Sequence, residues 1–200
     1  YFFILAIIQL GLFFGIYHYY RSQNAVKPSP YWMSSLLASV LAMLIFGSGI
    51  VTLDDIAKPQ FNFTIANTLF YVAAVLLGLF CMSMNKPITR FMQAGFFVSV
   101  MVFIVIFEWL RNFGTFEIRT SFMCVTASLF YVWQIFEIRQ KRRHESSSQL
   151  AYMQYASSAE LFFALGRLFI LVASTSIIQQ VEQIPQALIF LTIAQLVMNT

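Results

Sequence analysis

The chain has 200 residues, 60% of them hydrophobic and only 10% charged, with 23 Phe and a mean hydropathy of +0.75. A soluble domain carries about 25% charged residues, so water is excluded as the main solvent, and the small net charge of +4 gives no reason to expect a nucleic-acid partner. The first residue is Tyr1 rather than Met and the last, Thr200, falls inside an apolar stretch, so the expectation is a piece of a longer polypeptide whose catalytic part lies elsewhere.

Seven apolar runs follow one another, roughly 1–17, 31–51, 61–84, 91–110, 120–138, 156–178 and 185–200. The first has neither a basic leader nor a small-residue cleavage site, so it reads as a membrane helix and not a signal peptide. Its Gly11 and Gly15 stand four apart, a weak motif that permits a close helix crossing. Tyr17, Tyr19 and Tyr20 at its end, with Tyr31 and Trp32 at the start of the second run, form an aromatic belt at one membrane interface, in which Trp32 is an anchor. A loop with Asp54, Asp55 and Lys58 leads to the third run, which carries Asn67. The fourth ends in Glu108 and Trp109, followed by Arg111. Trp109 reads as the opposite interfacial anchor, and a sharper alternative makes Glu108 and Arg111 the rim of an outward-facing signal pocket with Asp54, Asp55 and Glu117. The fifth run precedes the basic segment from Arg139 to Arg143, which attracts anionic lipid, reads mainly as a topology determinant and, by position alone, is within reach of a cytoplasmic output domain. The sixth holds Glu160 and, at its centre, Arg167.

Most runs reach the roughly 20 residues that span about 30 Å of hydrocarbon at 1.5 Å per residue. They are continuous, not alternating, and open strands would leave backbone groups unpaired in lipid. The expected fold is therefore all-α: one polytopic bundle over residues 1–200 with about seven transmembrane helices. Orientation follows from Lys and Arg. Arg21, Lys27, Lys86, Arg90, Arg139, Lys141, Arg142 and Arg143 fall on one side, against Lys58, Arg111 and Arg119 on the other. The first side is expected to be cytoplasmic, with the N-terminus outside, the C-terminus inside and the chain multi-pass.

An ionisable residue inside hydrocarbon is a functional candidate by default. Arg167 is the strongest, with Asn67, Glu108 and Glu160 as expected partners. Glu160 is seven positions earlier on the same helix, about 10 Å along the axis. A signal contact and a structural ion pair are both open for this set. No catalytic set, P-loop or dinucleotide fingerprint is present. Cys81 and Cys124 are expected at different depths, which argues against a disulfide, and His18 and His144 have no companions at zinc-ligand spacing. The last run has no lysine for a retinal Schiff base. Every proline lies in a loop or at a helix start, unlike the broken helices of coupled transporters.

The order of loop and helix-end residues, Tyr17-His-Tyr-Tyr-Arg21, Pro30-Tyr-Trp32, Ile65-Ala-Asn-Thr-Leu69 and Asn85-Lys-Pro-Ile-Thr-Arg90, resembles the membrane-embedded sensor regions of bacterial diguanylate cyclases of the GGDEF family. The resemblance implies a signal-input domain, working as a homodimer in the lipid bilayer of a bacterial inner membrane. The seventh helix would continue into a cytoplasmic domain that joins two GTP molecules, with Mg, into cyclic di-GMP. No GGDEF signature occurs in these residues, so no catalytic or metal position is carried over and no cofactor is expected here. The signal, whether small molecule, lipid or peptide, is not specified. Similar input regions precede histidine kinases, and a small permease or channel, or an assembly subunit, are the readings from other classes.

Overall fold

The structure, a computed structural model, describes residues 2–22, 29–52, 59–145, 147–173 and 184–198. Seven helices account for them: α1 (Phe2–Ser22), α2 (Pro30–Val51), α3 (Phe61–Ser83), α4 (Arg90–Phe113), α5 (Phe116–His144), α6 (Ser148–Ala173) and α7 (Gln186–Met198). Among the described residues there is no strand. Six helices, α1 to α6, are long and apolar enough to cross a membrane. α7, at 13 residues, covers about 20 Å and falls short of a full span on its own.

The helix ends follow from local chemistry. Pro30 occupies the first turn of α2, where its missing N–H costs nothing and its fixed φ is already helical. Thr89 and Thr115 cap α4 and α5, their hydroxyls accepting from the N–H groups of Met92 and Ile118, which satisfies donors that the first turn leaves open. The last turn of α5 carries Lys141, Arg142 and Arg143, cationic side chains that suit the negative end of the helix dipole.

Two expected connections, the stretches 111–119 and 139–155 left between the apolar runs, are corrected. Only Gly114 and Thr115 separate α4 from α5, so Arg111 and Arg119 belong to helices and not to an outer loop. Arg119 is 6% exposed, and its Nη1 donates to the Gly114 carbonyl at 2.7 Å, so a charge counted toward the loop is folded back onto it. On the other side, α5 runs on to His144 and α6 begins at Ser148. The basic segment is therefore the last turns of a helix. Polar residues continue a helix whenever its backbone ladder persists, even where hydropathy fades.

Helices that are neighbours in sequence pack in a row, α1 on α2, α2 on α3, α5 on α6 and α6 on α7, while α3 and α5 meet directly with α4 laid against α3 and more lightly against α5. Leu5, Ala6, Val40 and Met43 form the α1–α2 core. Ser35 Oγ donates across to the Ala73 carbonyl at 2.7 Å, and Phe46 meets Phe63 edge-on at 5.2 Å. Val75, Leu79 and Met82 form the core beneath Trp133 and Phe96, and Cys81, Ile138 and Leu150 join α3, α5 and α6. Gly78 is required here, because a Cβ at that position would overlap the Trp133 ring. Tyr71 stacks on Phe103 at 4.3 Å and seats α4. Phe107 and Leu110 are buried with Phe103, while another face of α4 is open, with Phe91, Phe97 and Val105 at 87%, 63% and 70% exposure, an apolar surface suited to lipid and not to water.

Candidate functional site

Glu108 and Arg111 lie one turn apart at the end of α4, a spacing that puts both on one face. Arg111 Nε donates to Glu108 Oε2 at 3.0 Å, and its Nη2 pairs with Oε1. The carboxylate also accepts from Thr64 Oγ1 of α3 at 2.6 Å and from Asn112 Nδ2 at 3.1 Å. Arg111 Nη1 reaches the Pro59 carbonyl at 2.8 Å, and its guanidinium stands 6.0 Å from the centroid of the Phe61 ring. The forked, charge-assisted pair lies within α4, and the Thr64 hydroxyl and the Pro59 carbonyl tie it to the start of α3. Asp54 and Asp55, expected beside it, lie outside the described residues, as do Lys27, Lys58, Glu182 and the side chains of Tyr20 and Arg21. Trp109 is 61% exposed, beside Phe113 at 6.1 Å. Trp32 is half-buried in the first turn of α2.

Arg167 stands elsewhere. α6 packs against α5 and α7, whereas Asn67 and Glu108 belong to α3 and α4, so the expected grouping of the three is not formed. Asn67 Nδ2 donates to the Phe63 carbonyl of its own helix at 2.7 Å. Arg167 neighbours Cys124 of α5, and its Nε is buried with no hydrogen-bond partner. Glu160, 4% exposed, lies on the same helix. Nearer the other end of α6, Ser157 Oγ is 3.5 Å from Gln134 Oε1. Gln195 of α7, 6% exposed, donates from Nε2 to Tyr131 Oη of α5 at 3.1 Å. Gln134, Ser157, Glu160, Tyr131, Gln195 and Arg167 therefore give the α5–α6–α7 region a polar seam, while Gln9 of α1 and Ser35 of α2 are also buried polar side chains.

A third polar centre escaped the reading of the sequence. Glu137 of α5 is 3% exposed and accepts at Oε2 from Asn85 Nδ2 at 2.8 Å, and at Oε1 from Trp133 Nε1 at 3.3 Å. The Asn85 amide also reaches the Glu137 carbonyl at 2.8 Å, and Lys86 Nζ approaches Oε1 at 3.9 Å. The turn after α3 is thereby fastened to α5. The available signal was Glu137 four residues after Trp133, on one face of a helix, but an acid near the edge of an apolar run reads as punctuation.

The groove between α4 and α5, about 400 Å³, is lined by Tyr71, Gly95, Ser99, Phe103, Phe122 and Thr126 among others and by none of the candidate residues. Among the described residues no three His, Cys, Asp or Glu side chains converge as a metal site would require. No protein-family model matches the chain, and no curated protein or solved structure matches it either.

Proposed function

We propose that these helices form the signal-input domain of a bacterial inner-membrane receptor that senses an extracytoplasmic or membrane-borne signal. Its cytoplasmic output domain follows α7 and, on the resemblance to GGDEF sensor regions, is a diguanylate cyclase making cyclic di-GMP from GTP with Mg. In this reading α7 is the seventh span and leaves the membrane on the cytoplasmic side, and the receptor works as a homodimer because cyclase half-sites act in pairs.

The observation that supports it is the way α7 is held. Leu188 and Leu191 pack it in place, and among the described residues Gln195 donates a hydrogen bond to Tyr131 of α5. A polar contact inside a low-dielectric bundle is directional and has discrete alternatives, which suits an element with two positions. A signal shifts such an element only by binding the two arrangements with different affinity, and a tilt of α7 would change how two output domains face each other.

The test uses the full-length protein in cells. Gln195→Leu and Tyr131→Phe each remove one net hydrogen bond, so cyclic di-GMP is expected to move by up to about ten-fold from the wild-type level. Unchanged cyclic di-GMP at normal expression would sink the role of α7. A coding sequence after Thr200 with no GGDEF or kinase domain would sink the output assignment.

A further inference from the structure

The last turns of α5 hold a cationic groove of about 270 Å³, lined by Arg139, Arg142 and Arg143 together with Gln154 of α6. The charges there are not balanced locally. Lys141 is paired with Glu145 at 2.9 Å, but among the described residues no carboxylate lies within ion-pair distance of the three arginines. Arg142 Nη1 donates to Gln154 Oε1 at 2.6 Å, which orients its guanidinium and leaves the other N–H groups of the fork for another acceptor.

What lies next to this groove gives the ligand its class. Leu129, Val132, Phe136, Arg139 and Arg143 recur at intervals of three and four and so share one face of α5. The first three are 68%, 53% and 64% exposed, and both arginines are exposed as well. Over about 21 Å this face passes from bare hydrocarbon to unpaired guanidinium. A phospholipid has the same order, acyl chain and then phosphate. A free anion or an acidic peptide would use only the cationic end.

We propose that this face of α5, completed by Gln154, binds an anionic phospholipid, with its phosphate among Arg139, Arg142 and Arg143 and an acyl chain along Leu129, Val132 and Phe136. Arginine forks match phosphate oxygens in pairs, and with no carboxylate balancing the three guanidinium groups the site favours a phosphodiester of net negative charge over one whose headgroup carries its own ammonium.

Native mass spectrometry of the delipidated chain, titrated with phosphatidylglycerol, phosphatidylethanolamine or inorganic phosphate, tests the assignment. Phosphatidylglycerol is expected to be retained in preference to phosphatidylethanolamine. Arg139→Gln with Arg143→Gln should weaken its retention by about ten-fold or more, and Arg139→Lys with Arg143→Lys, which keeps the charge and the fold but not the forks, by several-fold. Arg90→Gln with Lys141→Gln removes the same charge from outside the groove and should leave retention nearly unchanged. Equal losses in the two glutamine pairs, or full retention in the lysine pair, would reduce the effect to diffuse electrostatics and overturn the site. Displacement of phosphatidylglycerol by millimolar inorganic phosphate would overturn the lipid in favour of a free anion.

Discussion

Glu108 and Glu137 are both acids drawn into an apolar bundle, and the chain accommodates them in opposite ways. Glu108, near the end of α4, is met by a full countercharge on its own helix and by a hydroxyl from α3. Glu137 is more deeply buried, takes hydrogen bonds from a neutral amide and an indole, and has its closest cation at 3.9 Å on a lysine whose side chain is 52% exposed. The difference teaches that the two nodes fail differently. Loss of Arg111 strands a charge, whereas loss of Glu137 strands neutral donors.

The largest effect expected from this contrast is on Arg111→Ala, which leaves Glu108 without its partner and should cost about 3 kcal/mol in thermal unfolding in detergent micelles. Glu108→Leu combined with Arg111→Leu should recover most of that loss, since neither charge is then left behind. If the double variant is no better than the single one, the node is not a charge pair in energetic terms. Glu137→Ala comes next, at about 2 kcal/mol for the unpaired Asn85 and Trp133 donors. Glu137→Gln keeps an acceptor oxygen and should cost under about 1 kcal/mol, read in the same unfolding assay. Equal losses for the two would show that the negative charge itself matters there. Gly78→Ala falls between the two Glu137 variants: a methyl against the Trp133 ring should cost about 1.5 kcal/mol and shift the tryptophan emission. An unshifted emission would mean that the indole position does not depend on the glycine.

Much of the architecture was legible because lipid imposes a simple rule: continuous apolar runs become helices. Runs two, three and four match α2, α3 and α4 within a few residues. The rule stops working where a helix continues through polar residues, as α5 does from Phe116 and out to His144. It says nothing about which helices touch. Arg167 and Glu108 are equally conspicuous as intramembrane charges, yet α6 and α4 are not packed neighbours, and that is a matter of packing order that hydropathy does not encode. Glu108 and Arg111 were legible as neighbours at one helix end, but not as partners of each other, with Glu108 expected as a partner of Arg167; one helical turn joins them. Glu137 was not legible, since its principal partner Asn85 is 52 positions away.

The two cysteines, placed by sequence in separate apolar runs, are both buried thiols, and they sit on different seams. Cys81 of α3 packs with Ile138 and Leu150, whereas Cys124 of α5 neighbours Arg167 of α6. A thiol reacts with a water-borne reagent only when its surroundings open. The chain therefore carries two native clocks, one for the α3–α5 contact and one for the α5–α6 contact, and their separate ticking rates would tell which half of the row loosens first.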